Sequence, residues 1–183
     1  FTSQDVVYLL MPDRFANGDP SNDSHPSTKE QANLNLPGGR HGGDLKGVED
    51  RLAYIKDLGA TTIWMTPFLE DNEPTYSYHG YAQSDLYKVD PRYGTNDSFR
   101  TLVQKAHQLG LKVIKDEVPN HWSSKHWMIQ DLPTNTWIHQ FEQFTRSSYR
   151  TTTQFDPYAS KVDKAASADG WFDTTMPDMN QNN

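Results

Sequence analysis

The run Lys-Val-Ile-Lys-Asp-Glu-Val-Pro-Asn-His, from Lys112 to His121, decides how the chain is read. Its apolar positions predict a strand over 111–118, and the run closes on Asp, Asn and His side chains. Strands of a parallel sheet covered by helices are buried on both faces, so a carboxylate, an amide and an imidazole at one strand's C-terminal end need a use. Strand ends also carry Asp and Asn simply as turn formers, so the run alone leaves a site and a turn both open.

Working outward, the preceding segments repeat one pattern. Val6 to Met11 is a short apolar run stopped by Pro12, as in a buried strand. A polar loop is expected over Asp13 to Asp44. Val48, Leu52, Ile55 and Leu58 recur at helical spacing over 47–58, with Gly59 as a stop. Thr61 to Pro67 reads as a second strand. Phe99, Leu102, Val103, Ala106 and Leu109 form the next helical stripe, with Asn96 or Asp97 as N-cap and Gly110 as a stop. Two strand–helix–strand crossovers of this length imply parallel neighbours and an α/β architecture, either a barrel or a doubly wound sheet. Beyond Pro119 the periodicity dissolves into Trp, Thr, Gln, Asp and Ser, which suggests an inserted, loop-rich subdomain.

Composition bounds the function. Hydrophobic content is 34% and mean hydropathy is −0.85, a thin supply for a core, although five Trp, nine Tyr and eight Phe add large buried area where they pack. The formal charge of −7 disfavours nucleic acid or an anionic membrane as partner, since both need a basic face; a neutral polar ligand suits the chain better. The absence of Cys excludes a disulfide framework, a thiolate nucleophile and a Cys-based zinc site. The longest apolar run, Val6 to Met11, is far short of the roughly 20 residues that cross a bilayer. The chain opens on Phe1 and closes on Asn183, and reads as a piece of something longer.

The first loop carries a candidate metal site. Asn17, Asp19, Asn22 and Asp23 fall together, and Gly42-Gly43-Asp44 returns at the loop's far end. All these donors are oxygens, the ligand type that Ca²⁺ takes from carboxylates, amides and carbonyls. An EF-hand is excluded: counting from Asn17, Asn22 stands where Gly is required and Thr28 where Glu is required. An ordinary Asx-rich turn is the competing reading.

Six ordered motifs then point to a family. Tyr8 to Asn22, Gly42 to Gly47, Tyr78-His79-Gly80-Tyr81, Asp90-Pro91-Arg92-Tyr93-Gly94, Asp116 to His121 and Met176-Pro177-Asp178-Met179-Asn180 occur in the order found in α-amylase-family glycoside hydrolases. The chain resembles the cyclomaltodextrinase and neopullulanase branch most. The resemblance implies a (β/α)₈ TIM barrel, here its first three strands, with a domain B inserted after strand three. It divides the chain into residues 1–121, the N-terminal part of catalytic domain A, and 122–183, domain B and the start of the return to the barrel.

The resemblance also implies roles. Asn17, Asp19, Asn22, Asp23, Gly42 (through its carbonyl) and Asp44 would bind calcium. Tyr81 matches an aromatic that stacks on the sugar at the cleaved position, and His121 an imidazole that hydrogen-bonds that sugar's hydroxyls. Asn120 would help fix the barrel to domain B, in some relatives as a ligand of a second calcium, and Asp116 would orient a neighbouring Arg. A loop-buried Tyr and a structural His are the plain alternatives. Pro119 departs from the family's usual aliphatic residue, and Lys115 and Glu117 place charges where apolar residues are expected.

The implied activity is retaining hydrolysis of α-1,4-glucosidic bonds in maltooligosaccharides, cyclodextrins or pullulan. That chemistry needs a nucleophilic carboxylate and a proton-donating carboxyl ~5–5.5 Å apart. In the family both follow later strands, so no catalytic residue is assigned here, and the 183-residue chain alone is expected to be inactive. Two alternatives are a non-catalytic, calcium-dependent carbohydrate-binding module, and a transglycosylase or sucrose- or trehalose-directed relative on the same barrel. Self-association through unpaired barrel edges is expected. A periplasmic or secreted location is favoured over a cytoplasmic one.

Overall fold

The computed structural model describes residues 1–148 and 151–182. The chain forms two compact units, Phe1–Glu117 and Val118–Asn183.

The first unit is built on a three-stranded parallel sheet in the order β1-β2-β3: β1 Val7–Leu10, β2 Thr62–Met65 and β3 Lys112–Lys115. Its register pairs Tyr8 with Ile63 and Ile63 with Val113. Every strand is shorter than its apolar run. Pro12, which lacks an amide hydrogen for the ladder, ends β1 and instead opens a single helical turn, α1 Pro12–Phe15, inside what the sequence suggests is a loop.

The first crossover is two short helices, α2 Leu45–Asp50 and α3 Leu52–Asp57, rather than one helix over 47–58. The break is Arg51, at φ −107° and ψ 9°. Asp44 caps α2 through a hydrogen bond accepted from the Gly47 amide. The second crossover is α4 Asn96–Gln108, whose N-cap is Thr95, one residue before the expected Asn96 or Asp97. Thr95 wins because Ser98 completes a reciprocal capping box with it.

One face of the sheet is covered by these helices. Leu10, Ile63 and Met65 are buried there with Val48, Leu52, Ile55, Leu102, Ala106 and Leu111, and Tyr8 and Val113 pack on them. Leu58 and Leu109 continue the two helical stripes in sequence but are 53% and 42% exposed, because each sits at a helix C-terminus beyond the sheet's reach. The opposite face is bare: Val7, Leu9 and Trp64 alternate with the buried positions and are exposed. Both β1 and β3 keep one unpaired edge in this three-stranded sheet.

The second unit is loop-rich, with α5 Trp127–Gln130, α6 Thr151–Phe155 and α7 Lys161–Ala168 as its helices. Isolated bridges hold it together, joining His121 to Asp178 and Ile138 to Met179. Among the described residues no helix is long and apolar enough to cross a membrane.

The central strand carries the first unit's core, so Ile63→Ala is expected to destabilise it by about 2–5 kcal/mol, whereas Leu109→Ala costs well under 1 kcal/mol. Urea denaturation of both variants checks this ordering.

Candidate functional site

Two groups of side chains meet within the first unit at the C-terminal ends of its strands. Asp116 follows β3 directly, and its Oδ2 accepts hydrogen bonds from Tyr81 Oη at 3.2 Å and Trp64 Nε1 at 3.1 Å. Tyr81 is half-buried. Burial, and then the Asp116 carboxylate, raise its phenol above the ordinary tyrosine value. Trp64 is a partner that the sequence reading overlooks, although alternation along β2 places it on the bare face. The charges flanking Asp116 find each other: Lys115 pairs with Glu117.

The segment bearing Tyr81 is fixed from below by buried charges. Arg92 is 1% exposed; its Nε and Nη2 bind Asp90, while Nη1 donates to the Glu30 carbonyl at 2.7 Å and Nη2 to the Asp71 carbonyl at 2.6 Å. Arg40, equally buried, donates to the carbonyl and hydroxyl of Ser77. Glu30 closes the arrangement, accepting from the Tyr76 amide and from the amide and hydroxyl of Ser77. Tyr76 at φ 61° is held in the left-handed region at a cost of roughly 1–2 kcal/mol.

Electrostatics inside this network differ from group to group. Burial works to raise the Asp90 carboxyl, but the Arg92 and Arg40 guanidinium groups hold it below the usual range. Asp71 is pushed well above that range, chiefly by burial, with Asp90 adding repulsion. Asp13 is raised by burial too, although the His41 amide and both neighbouring arginines oppose the shift.

The calcium candidates lie in the same unit, in the loop between α1 and α2. Asp44 has its carboxylate engaged by the amides of Gly47, Gly18 and Asp19 at 2.6, 3.1 and 2.8 Å. Asn17 donates to Asp23 Oδ1 at 2.7 Å. The Asp23 carboxylate lies against Gly42, where a Cβ would meet it at 2.7 Å, and Gly42 has φ +82°, so glycine is required on two counts. Asp19 is lowered by hydrogen bonds from Ser21. Asn22 Oδ1 is buried with no hydrogen-bond partner. Among the described residues no group of three or more His, Cys, Asp or Glu side chains converges as a metal centre. The loop therefore offers a mixed set of amide and carboxylate oxygens, with one acceptor, Asn22 Oδ1, left unsatisfied, and such a set fits a hard cation better than zinc.

Asn120 and His121 lie in the second unit. Asn120 Nδ2 sits 3.1 Å from His121 Nδ1, and the buried His121 ring stacks on Phe172 with centroids 4.8 Å apart. The Asn120 carbonyl accepts from the Met179 amide at 2.9 Å. A hollow there is lined by Asn120, His139, Asp169 and Asp178, and His139 Nδ1 contacts Asp178 Oδ2 at 2.5 Å.

Comparison with known proteins bears on the family and the fold. Residues 9–177 match the family model described as the α-amylase catalytic domain. The chain is 43% identical over 131 residues to neopullulanase 2 of Thermoactinomyces vulgaris, which covers 69% of this chain and 21% of that protein. It is 39% identical over 135 residues to a cyclomaltodextrinase of Thermoanaerobacter pseudethanolicus, covering 74% and 23%. It is 37% identical over 127 residues to the periplasmic α-amylase of Escherichia coli K12, covering 63% and 19%. Among solved structures, an Anoxybacillus α-amylase superposes with a TM-score of 0.76 at 35% identity, over 98% of this chain and 35% of that one. The Geobacillus thermoleovorans α-amylase complexed with acarbose gives 0.74 at 35% identity, over 98% and 34%. The chain thus spans about a fifth of the length of these curated relatives.

The raised Asp71 carboxyl has a pH consequence. Its folded-state value lies above the unfolded one, so ionising it opposes folding once the pH rises above the unfolded value. Asp71→Asn removes that charge and keeps one acceptor oxygen, so only one of the Glu73 and Ala82 amides, which bind different carboxylate oxygens, stays satisfied and the variant carries a pH-independent offset. Its thermal midpoint relative to wild type is expected to climb from acid to neutral pH, read by melts across that range; a constant difference contradicts the assignment.

Proposed function

Because the chain belongs to the α-amylase family, we propose that it supplies the first strands and domain B of a retaining glycoside hydrolase cleaving α-1,4-glucosidic bonds in starch-derived glucans. Maltooligosaccharides, cyclodextrins and pullulan are the substrates. The observation that carries this reading is the Tyr81–Asp116–Trp64 cluster at the C-terminal ends of parallel strands, the end on which barrel enzymes build their sites. Tyr81 offers a flat apolar face to a pyranose while its hydroxyl is anchored on Asp116. Asp116 has an orienting role, since its Oδ2 is occupied by two donors. His121, in the second unit, is read as a hydrogen-bonding partner of sugar hydroxyls, and Asn120 as the residue that holds its ring. The names of the relatives, neopullulanase and cyclomaltodextrinase, support the substrate class. The periplasmic α-amylase among them supports a location outside the cytoplasm.

Bond cleavage needs two carboxyl groups about 5–5.5 Å apart across the linkage. Three strands do not close a barrel, and in this reading those carboxyls follow strands further along the fold. The purified 183-residue chain is expected to release no reducing sugar from maltoheptaose; turnover in a preparation free of contaminating amylase would refute the reading.

Calcium is part of the same proposal. Asn17, Asp19, Asn22, Asp23, Asp44 and the Gly42 carbonyl would hold it, and the ion would supply positive charge that locks the loop between α1 and α2. Calcium at about 100 times its Kd is expected to stabilise the chain by about 2.7 kcal/mol. The thermal midpoint should rise with calcium, fall with a chelator, and lose both responses in Asp23→Ala.

The unpaired edges of β1 and β3 and the bare face of Val7, Leu9 and Trp64 favour self-association of the chain. Light scattering should show apparent mass rising with concentration, and a monomer at all concentrations would contradict this.

A further inference from the structure

Tyr76 is the only non-glycine residue with positive φ among the described residues, and it is also 60% exposed. These two facts oppose each other if the residue serves only the fold. Asn or Gly would hold this backbone with less strain, so the turn itself does not ask for tyrosine. Burial does not ask for it either, because most of the ring faces solvent. What tyrosine adds at this position is a presented ring.

The surroundings present that ring rigidly. One edge lies directly over Gly38, where a Cβ would come within 2.3 Å of Tyr76 Cε1. The Tyr76 amide is held by Glu30 at 3.2 Å, and the next residue, Ser77, is bound by both Glu30 and Arg40. Arg14 ties down the Gly38 side, donating to the Pro37 carbonyl at 3.0 Å while lying 4.1 Å from the centre of the Tyr78 ring. Backbone strain, a bare-backbone seat and buried charge partners together fix an exposed aromatic five residues upstream of Tyr81, at the N-terminal end of the short 3₁₀ turn Ser77–His79 that separates them.

We propose that Tyr76 is a specificity-determining residue, a second stacking platform that extends α-glucan binding outward from Tyr81. The proposal rests on the glucan-directed reading above. A flat apolar face with a hydroxyl rim suits a neutral pyranose, and the chain's charge of −7 disfavours a nucleobase on a phosphate backbone as the alternative occupant. Because the platform is ordered before the sugar arrives, little freedom is lost on binding.

The test is a titration of the 183-residue chain with maltoheptaose, followed by saturation-transfer NMR, in parallel with thermal melts. Wild type is expected to bind. Tyr76→Asn, which tolerates the left-handed backbone, should melt at or above the wild-type midpoint yet bind about tenfold more weakly, and Tyr76→Trp should restore affinity. Wild-type affinity in Tyr76→Asn overturns this proposal and leaves the functional reading standing. Lost affinity accompanied by a lower midpoint, unrescued by Trp, also overturns it by assigning the residue a structural role. No maltoheptaose binding by wild type also overturns the proposal, while the reading on which it rests stands or falls by the reducing-sugar assay above.

Discussion

A single buried guanidinium organises the first unit's candidate-site loops. Arg92 has lost its water, and taking an ion out of water costs several kcal/mol unless every donor finds a partner. Asp90 supplies the counter-charge, and the carbonyls of Glu30 and Asp71 take the remaining hydrogen bonds, so three stretches far apart in sequence must converge on one point. Glu30 thereby stands where its carboxylate can hold Tyr76 and Ser77, and Asp71 where it receives the amides of Glu73 and Ala82. The position of the loop that carries Tyr81 follows from satisfying this charge.

The calcium-candidate loop obeys a similar logic with backbone amides in place of a guanidinium. Asp44 accepts three of them, which pins Gly18 and Asp19 to the start of α2. Asp13 does the same for the returning strand of the loop, accepting from the His41 amide through both carboxylate oxygens. Buried carboxylates that receive amides are costly to form without those partners, so the loop's path is specified tightly even though it contains almost no regular structure. The remaining unsatisfied acceptor, Asn22 Oδ1, is the atom in this loop most in need of a cation or water.

Much of this was legible in the sequence, for reasons that differ by element. The three strands were readable because short apolar runs ending at Pro12, Pro67 and the Asp116 cluster have few alternatives, and the parallel order follows from helix-length crossovers. Tyr81 and Asp116, chosen from motifs, do meet in space. Helix ends were less legible: Thr95 rather than Asn96 is the cap because a reciprocal bond with Ser98 decides between adjacent candidates. Leu58 and Leu109 keep the helical period yet face solvent, since periodicity reports a face and not where the sheet stops. The charge network was not legible: Asp90 and Arg92 stand together in one motif that carried no assigned role, Glu30, Arg40 and Asp71 have no local pattern, and only the fold brings them together.

The central claim is that the loops at the strands' C-terminal ends form a sugar-binding surface around Tyr81. A crystal structure of the chain grown with calcium and acarbose tests it most directly. The account predicts a sugar ring lying flat on the Tyr81 face, with the Tyr81 hydroxyl still on Asp116. A saccharide bound elsewhere on the first unit, with the Tyr81 face covered by protein, would contradict it.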